Sequence, residues 1–334
     1  MSDKYHWPIF GHKQAINFLQ NSIEQDKLAH AYLFYGSRGL GKKMAAEYFS
    51  RSIFCTSLEK KPCGQCQACR LVSKGAYLDM YTLGKDGQEL SVDNVRDFMH
   101  SLQMASIYNH KKIAIIYNVE KMNIFGANAL LKTIEEPPAN TYIILISDNI
   151  NLLPATVISR CQLIKFQALT KAEMKDWMAT FHFDDQERQT IMNLSFGKPG
   201  LALQLMQDNL EPWKKSCNFI LSLLSANTFN IMQTIDKWFA NLKKENPEAK
   251  VSDLGQNTRL YLDYLELIMR DLLWIKLDKP IVNEIFQNEL NNISSSYSSE
   301  QLLKNLVRLD DYKQKLNNNV NPQLLWENIF LNLK

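Results

Sequence analysis

The feature that most constrains the fold is an apolar run followed by a glycine-rich loop and a helical pattern. Residues 31–35, Ala-Tyr-Leu-Phe-Tyr, are typical of a buried strand. Residues 36–43, Gly-Ser-Arg-Gly-Leu-Gly-Lys-Lys, then follow the spacing G-x-x-x-x-G-K-S/T of a phosphate-binding loop. Apolar side chains recur at helical spacing from Met44 to Ile53. Because a strand, a glycine turn and a helix N-terminus together can cradle an anion, the sequence predicts a phosphate-loop α/β domain.

The loop departs from this pattern at its last position, where Lys43 replaces the serine or threonine. That hydroxyl normally coordinates the magnesium ion that bridges the nucleotide phosphates. A lysine has three donors and no acceptor, so it cannot ligate a cation. Gly36, Gly41 and Lys42 remain candidate phosphate contacts. We expect the loop to bind nucleotide weakly or to be empty; a glycine-rich turn with no ligand is the alternative.

A second buried strand, residues 112–117, also lacks the residues of an ATPase. Such a strand should end in two acids, one that holds magnesium and one that activates the attacking water. Tyr117 and Asn118 stand in these places, and Glu120 lies further on, on the following loop or helix. Tyrosine titrates near pH ~10 and an asparagine amide does not accept a proton, so neither is a general base. The sequence predicts no productive binding of ATP and Mg²⁺ and no ATPase activity of the chain's own.

Four cysteines with the spacing C-x7-C-x2-C-x2-C form a candidate metal site: Cys55, Cys63, Cys66 and Cys69. In a reducing compartment this spacing indicates four thiolates around one tetrahedral zinc ion. Disulfides of a secreted protein or a redox C-x-x-C are the alternatives. Because four thiolates leave no open position for water, we expect the Zn²⁺ to be structural. Cys161 and Cys217 are isolated and are interpreted as small buried apolar residues.

Composition limits the remaining possibilities. With 38 Lys and Arg against 35 Asp and Glu, the net charge of +3 does not indicate an independent, tight nucleic-acid binder. No apolar run approaches the ~18 residues of a membrane span. The first residues lack the apolar stretch of a secretion signal. We therefore expect a soluble cytoplasmic protein.

Strand and helix patterns alternate up to about residue 167, with further strands predicted at 141–146 and 162–166. This alternation predicts a parallel sheet with helices on both faces. Helical patterns follow from Thr170, where Thr170 and Glu173 fit a capping box. The fold class predicted is an N-terminal α/β domain with a zinc module, then a small helical lid domain, then an all-α C-terminal domain. The boundaries predicted are 1–167 with the zinc module at 55–69, 168–207, and 208–334. A turn at 317–322 precedes a last helix.

Four signatures occur in the order of one known family: residues 30–34 (His-Ala-Tyr-Leu-Phe) before the loop, the cysteines after its helix, residues 128–138 (Asn-Ala-Leu-Leu-Lys-Thr-Ile-Glu-Glu-Pro-Pro), and residues 153–161, which end in Ser-Arg-Cys. In that order they resemble the bacterial clamp-loader subunits of DNA polymerase III, which are members of the AAA+ superfamily. The specific motifs cover roughly residues 7–205. The resemblance implies an AAA+ domain followed by a lid and a helical collar.

The residues that differ from the family's ATPase motifs indicate which type of subunit this chain resembles. The resemblance implies that active members carry an intact loop, paired acids, and an arginine where Leu201 stands after the Gly-x-Pro-Gly turn. The chain therefore looks like the delta prime type, a non-catalytic stator that helps to load the sliding clamp onto primed DNA. Implied partners are gamma/tau-type ATPase subunits and a delta subunit in a hetero-oligomeric ring, within the DNA-directed DNA polymerase (nucleotidyltransferase) assembly. A catalytically active clamp-loader ATPase of the gamma/tau type is the alternative.

The resemblance also implies a role for Arg160 between Ser159 and Cys161. In the family this arginine crosses a subunit boundary and meets the terminal phosphate of ATP bound to the neighbouring subunit. Its planar guanidinium group stays charged and can donate two hydrogen bonds to one phosphate. A surface arginine that caps a strand or pairs with a carboxylate is the alternative. The helix in residues 128–138 is interpreted as mainly structural, with Lys132, Glu135 and Glu136 solvated.

An independent zinc-dependent nucleic-acid binder is a third hypothesis. Only Lys60, Lys61 and Arg70 flank the cysteines, so its electrostatics are poor.

Overall fold

The structure is a computed structural model that describes residues 4–85, 88–108, 111–245, 247, 251–316 and 320–333, with the side chains of 251–257 and 314 left out. The chain divides into two compact units. The first comprises Met1–His182 and Ser195–Leu201, and the second comprises Phe183–Leu194 and Ala202–Lys334. The three-domain boundaries at 167 and 207 stay a prediction. Residues 317–319 of the predicted turn lie outside the described residues.

The first unit is built on a five-stranded parallel sheet with the order β2-β3-β4-β1-β5. The strands are β1 Ala31–Tyr35, β2 Met80–Leu83, β3 Lys112–Ile116, β4 Thr141–Ser147 and β5 Gln162–Lys165. Apart from the isolated bridge between Tyr5 and Lys61, these are the strands of the described residues. The parallel α/β domain predicted from the sequence is confirmed.

Helices of the first unit connect and cover these strands. They are α1 Lys13–Glu24, α2 Lys42–Phe54, α3 Gln67–Ser73, α4 Val92–Ser101, α5 Ile124–Glu135, α6 Ala155–Ile158 and α7 Lys171–Met178. The predicted capping box at the start of α7 is confirmed, since Thr170 and Glu173 exchange hydrogen bonds. Helix α5 begins earlier than predicted, at Ile124, because the side chain of Asn123 accepts a hydrogen bond from the Gly126 amide.

The remaining helices are α8 Asp185–Leu194, α9 Pro199–Gln207, α10 Glu211–Ser225, α11 Thr228–Glu245, α12 Val251–Lys276, α13 Gln287–Ser294, α14 Ser299–Leu316 and α15 Pro322–Asn332. Helices α8 and α9 are separated by Phe196 and Gly197, which both have positive φ. The second unit buries a core of aromatic side chains, among them Trp213, Phe239, Tyr264 and Trp326. The helical character predicted after residue 168 is confirmed. No helix in the described part of the chain is both long and apolar enough to cross a membrane.

Two apolar cores lie on opposite faces of the sheet because neighbouring strand residues point to opposite sides. Tyr32 and Phe34 of β1 belong to one core, together with Phe49 of α2. Leu33 belongs to the other core, together with Leu130 of α5. The register pairs Tyr35 with Ser147. The phosphate loop after β1 and the segment after β4 therefore start side by side at the carboxyl edge of the sheet.

Gly36, the first residue of the loop, has no room for a side chain. Its φ is 141°, and a Cβ atom there would lie 2.1 Å from the Phe166 carbonyl oxygen. The Phe166 amide is itself fixed by a hydrogen bond of 2.8 Å to the Tyr35 carbonyl. A glycine is thus required where the loop leaves β1 and passes β5.

Replacing Gly36 with alanine should destabilise the first unit by about 3 kcal/mol, because the clash involves backbone that cannot move aside. The measurement is the midpoint of thermal unfolding. Gly41→Ala is the matched control: its φ is also positive, 87°, but no atom lies within 4 Å of the new Cβ. It should cost only the backbone strain, about 1–2 kcal/mol. Equal losses in the two variants would contradict this assignment of the clash.

Candidate functional site

The phosphate loop is closed by its own lysine. Lys42 is the first residue of α2, and Gly41 caps that helix. The Lys42 ammonium donates hydrogen bonds to the carbonyl oxygens of Gly36 and Ser37, the latter at 2.8 Å. It also lies 2.8 Å from an Asp148 carboxylate oxygen, and only 4% of its side chain is exposed. A lysine ammonium has three donors, and here all three bind groups of the chain itself.

Asp148 was missed in the sequence analysis. It follows directly after β4, and the register of β1 with β4 brings it to the loop although it is 106 residues from Lys42. The signal was present: an acid after a buried strand in a parallel sheet lies at the edge where the phosphate loop also lies. The carboxylate stands where the lysine would otherwise meet an anion from outside.

Burial and neighbouring charges act in opposite directions on this lysine. Burial lowers the pKa of Lys42, whereas Asp148 and, more weakly, Glu120 raise it. Glu120 lies in a 3-10 turn, Val119–Lys121, after β3. It is buried, and burial raises the pKa of its carboxyl group, to which the nearby Asp148 adds. Asp148 is therefore the main charged partner of Lys42 in the loop.

The two departures from an ATPase pattern contact each other. The Lys43 ammonium lies 5.3 Å from the centre of the Tyr117 ring, a cation–π arrangement. Asn118 has a positive φ of 53°, and its side-chain amide contacts the Gly84 carbonyl at 3.5 Å. A cation on an aromatic face thus occupies the region where a hydroxyl and an acid would bind magnesium. Lys43 supplies no metal ligand, and neither Tyr117 nor Asn118 is a general base.

The loop is also tightly packed by the turn that precedes Leu201. The Gly200 amide donates a hydrogen bond of 2.9 Å to the Gly39 carbonyl. A Cβ atom on Gly200 would lie 2.9 Å from the Gly39 Cα atom. Gly39 and Gly200 therefore approach backbone to backbone. The residue that follows is a leucine, which has no charge for a phosphate.

The structure brings the four predicted cysteines together. Their sulfur atoms all lie within 4.8 Å of one another. Cys55 ends α2, and Cys66 caps the N-terminus of α3 by accepting from the Cys69 amide. None of the cysteines among the described residues forms a disulfide, so the disulfide alternative finds no support. The cluster is built at the junction of two helices.

The cluster fits a zinc ion. Zn–S bonds of about 2.3 Å in a tetrahedron require sulfur–sulfur distances of about 3.8 Å, which small adjustments of these side chains reach. Backbone amides already point at the sulfurs: the amides of Cys63, Cys66 and Cys69 donate to three of them at 3.3–3.4 Å. Burial raises the pKa of Cys66, but such amide hydrogen bonds outweigh it and lower the pKa to about 6, whereas burial raises the pKa of Cys69 to about 12. Because zinc binding displaces thiol protons, the four sulfurs remain a donor set that fits the ion.

Outside the cluster, Cys161 is partly buried and Cys217 is buried. Burial raises the pKa of Cys161 to about 12, which is the behaviour of an inert thiol.

Arg160 lies on the surface between α6 and β5 with 39% of its side chain exposed. Its Nε atom lies 2.5 Å from an Oε1 oxygen of Glu135, at the end of α5. Its Nη1 atom donates to the Thr156 carbonyl at 2.9 Å and contacts the Ser159 hydroxyl at 3.4 Å. The carboxylate pairing weighed from the sequence is thus present. Glu135 is paired as well as solvated.

Comparisons with known proteins agree with the motifs. A family model described as DNA polymerase III, delta subunit, matches residues 11–170. The delta prime subunit of DNA polymerase III from Bacillus subtilis is 29% identical over 328 residues, covering 96% of this chain and 95% of that protein. The chain is thus similar to a DNA polymerase III delta prime subunit over nearly its whole length.

Other relatives are similar to a smaller part of the chain. The delta prime subunit of Haemophilus influenzae is 32% identical over 56% of this chain and 58% of its own length. The tau subunit of Bacillus subtilis is 36% identical, but over 48% of this chain and 29% of that subunit. The similarity to tau is therefore confined to half of the chain, whereas the similarity to a delta prime subunit extends over nearly all of it.

Replacing Asp148 with alanine should give the isolated chain a measurable affinity for nucleotide. The change frees one donor of Lys42 and removes a charge that repels phosphate. We expect the Kd for a fluorescent ATP analogue to fall at least tenfold, about 1.4 kcal/mol, in a titration. Adding Lys42→Ala should reverse the gain.

The matched control for this test is Asp26→Ala, which removes the aspartate partner of Lys111 away from the loop. It should leave the Kd unchanged. An Asp148→Ala chain that binds no better than the parent would show that this carboxylate does not close the loop.

Replacing Cys66 with serine should release the metal and destabilise the first unit, because the zinc affinity of a structural site is part of its folding free energy. Zinc content by elemental analysis should fall from about one ion per chain to near zero, with a lower unfolding midpoint. Cys161→Ser, outside the cluster, should keep the zinc. A Cys66→Ser chain with full metal content would refute the four-thiolate site.

Proposed function

We propose that this chain is the non-catalytic delta prime subunit of a DNA polymerase III clamp loader, and that it helps to load a sliding clamp onto primed DNA. The observation that carries the proposal is the sealed phosphate loop in a chain similar to a delta prime subunit over nearly its whole length. Lys42 is bound internally, and Lys43 with Tyr117 replaces the metal ligands. A chain of this kind contributes structure to an ATPase assembly without turning over ATP itself.

The proposed partners are gamma/tau-type ATPase subunits and a delta subunit in a ring, with the clamp and DNA reached through that complex. Relatives named tau and gamma are similar to this chain over about half its length, which supports a shared domain type. In this proposal residues 1–167 form the AAA+ domain, 168–207 the lid, and 208–334 the collar. We expect the subunit to act in the cytoplasm with the replication proteins that it resembles.

The zinc ion, in this proposal, has a structural role. The cysteine cluster lies at the end of α2 and the start of α3, and four thiolates leave no position for a reactive water. No residue of the cluster takes part in phosphate chemistry.

Arg160 is the residue that we propose to act on a neighbouring subunit's ATP. Its guanidinium is exposed, and it belongs to the Ser159-Arg160-Cys161 motif. A guanidinium group is always charged, and when it contacts the terminal phosphate it stabilises the negative charge that develops during phosphoryl transfer.

Replacing Arg160 with alanine should leave the fold and the assembly intact but reduce the DNA-stimulated ATPase rate of the reconstituted complex by about 10³-fold or more. The rate is measured with the ATPase subunits, delta, clamp and primed DNA present, and assembly is checked by size-exclusion chromatography. Arg96→Ala is the control, since Arg96 is an exposed arginine paired with Asp93 on α4. An unchanged rate for Arg160→Ala would overturn the assignment of this arginine.

The gamma/tau-type alternative makes the opposite prediction for the chain alone. A working motor would hydrolyse ATP within seconds, and Lys42→Ala would abolish this turnover. The buried pairing of Lys42 and the partial similarity to tau both favour the non-catalytic subunit.

A further inference from the structure

Arg160 is held on two sides by its own chain. The Nε atom faces the Glu135 carboxylate, and Nη1 donates to the carbonyl of Thr156, one turn back in α6. The third nitrogen, Nη2, donates no hydrogen bond to any residue that the structure describes. A guanidinium has five N–H donors in a rigid plane, so fixing Nε and Nη1 fixes the direction of Nη2 as well.

The pair does little for the stability of the fold. The side chains of Arg160 and Glu135 are 39% and 46% exposed. Exposed ion pairs contribute little to stability, because water and salt screen them. Fixing a flexible arginine side chain costs conformational entropy, which offsets that small gain. The consequence of the contact is therefore orientation more than stability.

The two residues come from separate motifs. Glu135 is the last residue of α5, in the Asn128–Pro138 segment, and Arg160 is in the Ser-Arg-Cys segment after α6. The turn of prolines after Glu136 ends α5 at this point. The fold thus places the Glu135 carboxylate against the Nε atom of Arg160.

We propose that Glu135 is a positioning residue for Arg160: it holds the guanidinium so that its Nη2 edge faces outward toward the phosphate of a neighbouring subunit. This inference rests on the proposed function of Arg160. The opposite possibility is a latch, in which Glu135 competes with the phosphate for the arginine. The two differ in sign, because removing a positioning residue slows the reaction and removing a competitor accelerates it.

The test is Glu135→Ala in the reconstituted clamp loader with clamp and primed DNA. We expect the ATPase kcat to fall about tenfold with little change in the KM for ATP, since an arginine that samples many rotamers still reaches the phosphate part of the time. Glu135→Gln keeps the length and an acceptor oxygen and should recover part of this loss. The control is Glu136→Ala, the exposed neighbour, with an unchanged rate.

A double variant shows whether Glu135 acts through Arg160 or independently of it. In the Arg160→Ala background, Glu135→Ala should cause no further loss, because its effect is exerted through the arginine. A further tenfold loss in that background would overturn the inference. All variants are compared at equal unfolding midpoints and equal assembly.

Failure of this inference can be told from failure of the proposed function. If Arg160→Ala slows the complex but Glu135→Ala leaves it unchanged or accelerates it, the positioning role is wrong and the trans arginine stands. If Arg160→Ala itself has no effect, the proposed function of Arg160 fails and the inference falls with it.

Discussion

The parallel pairing of β1 with β4 is the constraint on which the phosphate loop and the placement of its lysine depend. Both strands are buried on their two faces, and the register sets Tyr35 opposite Ser147. The residues that follow, Gly36 and Asp148, must therefore leave the sheet side by side. Gly36 also passes the Phe166 carbonyl so closely that no side chain fits. The position of Lys42 against Asp148 follows from this arrangement of backbone.

The phosphate loop of this chain is held together by contacts within the chain itself. A lysine without partners in a buried loop would be costly, since burial disfavours its charge. Here two loop carbonyls and Asp148 satisfy it, so its charge is paired within the chain. Lys43 is similarly stabilised on the Tyr117 ring. Lys43 and Tyr117 thus stabilise each other. Changing Lys43 alone to serine or threonine would therefore not restore a metal site.

Much of the fold followed from the apolar pattern. Strands β1, β3 and β4 were predicted because each is a compact apolar run, and β5 was predicted from the short stretch at 162–166. Strand β2 was missed: Leu83 alone of its four residues is fully buried. The start of α5 was missed because Gly126 stands in its first turn, and only the Asn123 cap marks that start.

The sites were predictable to different degrees. The cysteine cluster is local in sequence, so its spacing alone predicted the grouping. The contacts of Lys42 with Asp148 and of Arg160 with Glu135 join residues far apart in the chain, and only the sheet register and the packing of helices bring them together. The sequence raised the alternative that Arg160 pairs with a carboxylate, and the structure contains such a pair. Nothing in the sequence identified Glu135 as the partner.

Helix α2 has the phosphate loop at its first residue and a thiolate of the cysteine cluster just beyond its last. Its 13 residues span about 20 Å, which is well over a Debye length in physiological salt. A metal ion at one end is too far from the loop to contact any group there, so the two sites share one helix without a direct contact. Changes at the loop and changes at the cluster can therefore arise separately in such chains, provided that α2 keeps its length.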